Sequence, residues 1–293
     1  MTTVQDLGRF GHARYGVAPS GALDTFAARV ANLLVDNPEA EACLEITVSG
    51  VELGVLADMV IAVTGGHLGA HLNGRPLRAW HSRRAVPGDL LTFEGVEFGC
   101  RAYLAVGGGI EVPLVLDSKC TNLGSGFGGL EGRVLQAGDI ICGRDPELHL
   151  GSADRHFDRN VVPAYPNDWQ LRVLLGPQED QFSETGLQTL LQAIYRVSQR
   201  SDRTGIRLEG PIIQSRRGQP ESIVSEGVIS GAIQVPGDGM PIIILNETVS
   251  GGYRKIATVI TADLPLTAQM VPGDRVVFQA VSCLLYTSPS PRD

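Results

Sequence analysis

Val271-Pro272-Gly273-Asp274-Arg275-Val276-Val277-Phe278, near one end of the chain, repeats the pattern V-P-G-D-x-x-x-F of Val86-Pro87-Gly88-Asp89-Leu90-Leu91-Thr92-Phe93. A shorter relative, Ala137-Gly138-Asp139-Ile140-Ile141, lies between them. In each, Gly-Asp reads as a turn that launches a strand. The echo admits two readings: a turn that recurs in a β-rich protein, or two homologous barrel lobes. Working outward, Met59-Val60-Ile61-Ala62-Val63, Arg101–Val106, Leu171–Leu175 and Pro241-Ile242-Ile243-Ile244-Leu245 are short strand signals bounded by Gly, Pro or Asp. With 36 glycines and 17 prolines, turns are frequent and long helices rare, which favours barrel-like sheets over a bundle.

Two helices are expected. One follows Ser20, which reads as its N-cap, places Leu23, Ala27, Val30 and Leu34 on one face, and stops at Asp36-Asn37-Pro38. The other runs from about Glu179 to Val197, with Gly186 as a break inside it. The 293 residues suggest two lobes, an N-terminal one over 1–150 and a C-terminal one over 151–282, joined through the polar stretch 143–168. Residues 283–293, CLLYTSPSPRD, read as translated sequencing adapter and are set apart as a non-native tail; the native sequence is expected to stop near Ser282, and Met1 to be an internal position.

A net charge of −8 offers no basic face for nucleic acid or for an anionic membrane surface. No apolar run reaches the length of a spanning helix, and the N-terminus lacks a leader-like stretch, so a cytoplasmic address is expected. Cys43, Cys100, Cys120 and Cys142 lie far apart and read as buried thiols. No metal site is expected: His67 and His71 have ligand-like spacing but sit in loop or hairpin context. The Gly-rich stretch 124–132 lacks the Gly-Lys-Ser/Thr ending of a phosphate loop, and Gly107-Gly108-Gly109 lacks dinucleotide spacing.

Four polar clusters are denser than turns require. Gln5, Asp6 and Arg9 end the first strand, as a substrate clamp or a solvated strand end with a local Asp–Arg pair. Ser20, Asp24 and Asn32 follow, the last two on a similar helical face. Ser201, Arg203 and Arg207 come third; the two guanidiniums could hold a carboxylate or phosphate, or pair with Asp202 and Glu209. The fourth joins Gln234 to Gly251-Gly252-Tyr253, where glycines would let backbone approach a ligand under the ring, or mark a strand bulge.

In that order the clusters resemble the biotin-dependent carboxyltransferase-like family, which includes allophanate hydrolase subunit 2, the C-terminal part of urea carboxylase, KipA and the C subunit of 5-oxoprolinase. TTVQDLGRFG, GVAPSGALDTFAARVANLLVDN, GFGGLEGR, QRSDRTGIRLEG, SEGVISGAIQVPGDG and SGGYRKIATVITADL carry the likeness across nearly all of residues 2–282. The resemblance implies a β-rich α+β fold of cyclophilin-like β-barrel lobes with a few short helices. It further implies a component, inactive alone, of a complex that spends ATP, with Mg, to open 5-oxoproline to glutamate. Phosphorylating the lactam oxygen would make a poor electrophile reactive. The implied partners are a KipI-like B subunit, whose face is expected to share the ATP site, and a LamB/YcsF-like A subunit. Gln5, Asp6, Arg203 and Tyr253 would be catalytic, with Arg9, Ser20, Asp24, Asn32, Ser201, Arg207, Gln234, Gly251 and Gly252 binding substrate. The chain has no Met-Lys-Met acceptor, so biotin would arrive on another protein in the alternative reading, carboxyl transfer to a urea-like amide. A third is a KipA-like regulator that sequesters a kinase inhibitor. Two departures bear on substrate identity: Asn246-Glu247-Thr248 stands where the family commonly has Asp-Arg-Gln-Thr, and Asp117-Ser118-Lys119-Cys120-Thr121 replaces Gly-Ser-Arg-Ser-Thr.

Overall fold

All three Gly-Asp sequences fold as the same turn. In the computed structural model, which describes residues 1–282, the Asp89, Asp139 and Asp274 carboxylates each accept the backbone N–H three residues earlier, from Val86 (2.9 Å), Gln136 (2.7 Å) and Val271 (2.9 Å). Gly88, Gly138 and Gly273 take φ of 93°, 93° and 97°, a region closed to most side chains. Two of the turns launch strands as expected. The middle one does not: Ile140 is exposed, and the segment after it pairs with no strand among the described residues.

Two compact units arise, one from residues 1–14 and 18–166, the other from 15–17 and the chain from 167 onward. The first unit holds β1 (Thr2–Gln5), α1 (Thr25–Leu34), β2 (Cys43–Thr47), β3 (Leu53–Gly54), β4 (Met59–His67), β5 (Ala70–Leu72), β6 (Arg75–Pro76), β7 (His81–Ala85), β8 (Leu90–Phe93) and β9 (Phe98–Val106). They form an antiparallel five-stranded sheet, β1-β2-β9-β4-β7, and a four-stranded sheet, β3-β8-β5-β6. Leu44, Ile46, Ile61, Val63, Leu91 and Leu104 belong to its core. The helix α1 lies against β4 and β9, and the Thr64 hydroxyl donates to Ala27 O at 2.7 Å. Its N-cap is Asp24, whose carboxylate accepts from Ala27 N at 2.9 Å; Ser20 instead sits buried at φ 53° in the turn before it.

The second unit holds β10 (Asp168–Leu175), α2 (Glu184–Gln192), β11 (Tyr195–Val197), β12 (Gly205–Glu209), β13 (Glu226–Gly227), β14 (Ala232–Val235), β15 (Ile242–Ile244), β16 (Ser250–Gly251), β17 (Arg254–Val259), α3 (Leu264–Thr267) and β18 (Arg275–Ala280). Seven of these strands close a barrel, β10-β17-β14-β15-β12-β11-β18, sealed by a parallel pairing of β10 with β18. Closure leaves no open edge, and Trp169, Leu171 and Val173 alternate inward along β10. The protein is thus mostly strand with few short helices. The long second helix is not formed. Ser183 caps α2 through Gly186 N at 2.9 Å, so Gly186 lies in its first turn, and residues 195–197 pair into the barrel. The adapter-like stretch 283–293 lies outside the described residues.

The turn aspartates differ in their surroundings. Asp274 is buried, which pushes its carboxyl up, and it accepts from Trp169 Nε1 at 2.7 Å as well as from Val271. Asp274→Ala leaves both donors unmatched and is expected to cost about 1–3 kcal/mol, read by urea unfolding followed through Trp169. Asp139 is held at about 2 by hydrogen bonds from Arg133 first and Gln136 N–H second. Because its folded value is depressed, its contribution to stability is complete above its ordinary 3.8 and disappears as pH falls through about 2. An NMR titration of the Asp139 carboxyl carbon should find that midpoint, and Arg133→Ala should return it toward 3.8.

Candidate functional site

The first cluster is buried, not solvated. Gln5, Asp6 and Arg9 are 0%, 9% and 1% exposed. Gln5 Nε2 donates to Thr3 Oγ1 (3.0 Å) and Thr121 O (3.2 Å). Asp6 does not pair with Arg9; its carboxylate accepts from the Ser118 hydroxyl at 2.8 and 2.9 Å, from Lys119 N at 2.6 Å and from Gly8 N at 2.8 Å. Arg9 donates to Val115 O (2.8 Å), Cys120 O (2.9 Å) and Cys120 Sγ (3.3 Å), with its guanidinium 4.7 Å from the Phe127 ring centroid. The Gly-rich stretch wraps this arginine. A Cβ on Gly128 would collide with Cys120 O and lie 2.8 Å from the Arg9 terminal nitrogen.

Around α1 the polar side chains again face inward. Asp24 N donates to the Tyr103 hydroxyl (2.8 Å), the Tyr165 hydroxyl donates to Asp24 (3.1 Å), and Glu45 accepts from Tyr103 (2.8 Å) and Leu23 N (3.1 Å) beside Arg101 at 3.5 Å. Burial, next to the Glu45 and Asp24 charges, pushes the Tyr103 phenol well up. Asn32 belongs to a different set: it donates to Glu41 O at 2.7 Å and accepts from Asn37 at 3.0 Å, tying the helix end to the turn after β9. Glu45, Tyr103 and Tyr165 carry no sequence signal of their own. Isolated polar letters in strands acquire partners only when β2 and β9 pair.

In the barrel unit, Arg203 and Arg207 do not act together, nor do they pair with Asp202 and Glu209. Arg203, 4% exposed, meets Glu247 at 3.1 Å, whereas Arg207 projects from β12 into solvent. Asp202 caps Thr204 N and Gly205 N, Glu209 accepts from Ser198, and Ser201 exchanges hydrogen bonds with the Arg207 backbone. The β14–β17 ladder shifts register between Ile233 and Gln234, whose partners are Ala257 and Lys255, so the extra residue is Ile256 on β17. The space that Gly251 leaves is filled by the Gln234 amide, which donates to Tyr253 O at 3.4 Å; Gly252 O accepts from Ile223 N at 2.8 Å. Nearby Lys255 pairs with Glu226, to which Gln178 also donates at 2.8 Å.

Register separates the two catalytic candidates of this unit. Ala232 pairs with Thr258, and Gly205 with Ile244, at the end where Arg203 and Glu247 lie; Val235 pairs with Arg254 at the other, next to Tyr253. Arg207, Gln234 and Lys255 share the Tyr253 end through Arg207↔Ile242↔Gln234↔Lys255. Gln5, Asp6, Arg9, Ser20, Asp24 and Asn32 all belong to the first unit. The single convergent pocket expected of Gln5, Arg203 and Tyr253 is therefore not formed within either unit. His67 and His71 also face different partners, Glu97 and Phe98 for one and Gly69 O for the other. Chemically, Tyr253, at 41% exposed, and Arg207 present their groups outward at one barrel end; Arg9 and Arg203 present none.

A family model described as carboxyltransferase domain, subdomain A and B, matches residues 15–280. The chain belongs to the carboxyltransferase-domain family. Within it, the C subunit of 5-oxoprolinase from Escherichia coli K12 is 36% identical over 286 residues, covering 97% of this chain and 89% of that protein. The protein of the same name from Haemophilus influenzae is 34% identical, with 96% and 88% covered. The crystal structure of Kluyveromyces lactis urea amidolyase superposes with a TM-score of 0.91 at 34% identity; it matches 96% of this chain, which spans only 18% of that larger enzyme. No described helix is long and apolar enough to cross a membrane.

Glu247 and Cys120, from the two stretches expected to bear on substrate identity, each touch a buried guanidinium, Arg203 and Arg9 respectively. Losing one member of the buried Arg203–Glu247 pair removes the opposite charge at 3.1 Å from the other, so Arg203→Ala and Glu247→Ala are each expected to destabilise by about 3–5 kcal/mol in denaturant titrations. The double change to Met should recover most of that loss.

Proposed function

We propose that this chain is the C-type component of an ATP-driven enzyme that opens 5-oxoproline, or a closely related small lactam or amide, in a complex with partner subunits of the A and B kinds. The observation that carries this reading is the match to the 5-oxoprolinase C subunit over 97% of this chain and 89% of that protein, which leaves little of either chain unaccounted for. The internal pairing of Arg9 and Arg203 supports one component of a complex over a self-sufficient enzyme. Neither guanidinium is free to receive an anionic substrate. They do not fit the task of holding the phosphates of ATP, and no step is assigned to them. Tyr253 and Arg207 are the groups of the barrel end placed to meet a substrate or a partner's face.

A second reading, carboxyl transfer to a urea-like amide, is favoured by the 0.91 TM-score to urea amidolyase. It needs biotin delivered on another protein, since this chain has no Met-Lys-Met acceptor around either lysine, Lys119 or Lys255.

Co-expression with cognate A and B subunits, followed by an assay of glutamate release from 5-oxoproline with and without ATP, separates these readings. Release that requires ATP and all three subunits supports the proposal. Turnover by this chain alone, or biotin-dependent carboxylation of urea without lactam opening, overturns it. Tyr253→Ala should lower release about tenfold or more while leaving the melting transition in place, because the ring is half outside the fold.

A further inference from the structure

A further group of arginines lies between the β5–β6 hairpin and β7 of the first unit. There an open groove of about 830 Å³ is lined by Arg75, Arg78, Arg83, Arg84, His81 and His156, with two carboxylates, Asp89 and Asp154. With Asp58, which pairs with Arg84 from outside the lining, four guanidiniums stand against three carboxylates, a small positive excess on a chain whose total is −8. Asp89 accepts from Val86 N and from Asn73 (2.7 Å), whereas Asp154 lies 3.5 Å from the groove's own Arg83 and offsets part of its charge. Arg84 is held by Asp58 outside the lining. Arg75 and Arg78 are exposed and form no ion pair among the described residues.

The walls are rigid. Backbone hydrogen bonds Asn73 N to Leu90 O (2.8 Å) and Leu77 N to Ala70 O (2.8 Å) fix the hairpin. Between Arg78 and His81, Trp80 takes φ 61°, a strained value for a large side chain, and its ring is clamped between Phe26 and Phe157. Phe157 N donates to Trp80 O at 3.0 Å, and Ser82 N to Arg155 O at 2.9 Å, so the 154–157 segment is sewn along β7. The His81 and His156 rings stack with centroids 5.6 Å apart. His81 Nδ1 lies 3.0 Å from Ala79 O, a carbonyl that can only accept, so Nδ1 carries a proton and the ring is tied to its own hairpin.

We propose that this groove binds the phosphate chain of a small polyanion, a nucleoside triphosphate or free polyphosphate. Guanidinium forks match phosphate oxygens two at a time, and the two without an ion pair, Arg75 and Arg78, with Arg83 held only at 3.5 Å by Asp154, suit a chain of linked phosphates better than a single carboxylate. The volume is that of a small-molecule site. The inference is independent of the lactam-opening reading and would hold for a chain of either activity.

Calorimetric titration of the full-length chain with metal-free tripolyphosphate, ATP, inorganic phosphate and poly-glutamate, at low and at physiological salt, tests it. Saturable tripolyphosphate binding that Arg75→Gln/Arg78→Gln weakens about tenfold or more, with Arg29→Ala unchanged, supports the proposal. The single variant Arg78→Gln, expected to weaken binding by a smaller factor, gives the same test should the double change disturb folding. Equal affinity for ATP and tripolyphosphate assigns recognition to the phosphate chain alone; tighter ATP binding adds the nucleoside, and both results support the site. Absence of saturable binding, binding unmoved by the Arg75 and Arg78 changes, or capture of poly-glutamate without tripolyphosphate overturns it.

Discussion

Taking a charge out of water costs several kcal/mol unless the interior supplies an opposite charge or a full set of hydrogen bonds. This chain buries Asp6, Arg9, Asp24, Glu45, Arg101, Arg203 and Glu247, and the rest of the architecture is arranged around meeting that demand. The 112–132 region folds back on β1 to give Arg9 two carbonyls, a thiol and an aromatic face. Tyr103 bridges Glu45 and the backbone at Asp24, so one phenol joins β2, β9 and the start of α1. At the end of the barrel, Glu247 answers Arg203.

The same demand divides the arginines into two populations. Arg9 and Arg203 are buried and matched inside the fold, whereas Arg75 and Arg78 of the β5–β7 groove, like Arg207 of the barrel, remain at the surface, where water screens them and their charge can serve a ligand. A guanidinium in a conspicuous motif and a guanidinium available for binding are therefore different things in this protein. The family likeness extends over nearly the whole chain, and within it Cys120 and Glu247 are groups that meet the buried guanidiniums of Arg9 and Arg203.

Legibility in the sequence follows the range of the interaction. Gly-Asp turns are readable because the carboxylate bonds its own backbone three residues away, and strand identity is readable from short apolar runs between breakers. The N-cap lies four residues beyond the one expected because Ser20 and Asp24 are equally good capping letters; packing of the Ser20 turn decides between them. Tyr195–Val197 continues a helical pattern in sequence but is captured by β12 and β18, since barrel closure offers its backbone more than helix extension could. The clusters around Arg9 and Arg203 are visible as dense polar strings. Their partners are not, because Cys120 and Glu247 lie 111 and 44 residues away.

By itself the sequence determined the β-rich class, the turns, the family and which polar residues are unusual, all properties carried by neighbours along the chain or by long strings in fixed order. Only the tertiary structure decided which of those polar residues are consumed internally and which face outward, and that Arg203 and Tyr253 stand at opposite ends of the barrel strands. The physical reason is that burial and strand register are set by pairings between distant segments, and a side chain's availability for chemistry depends on both.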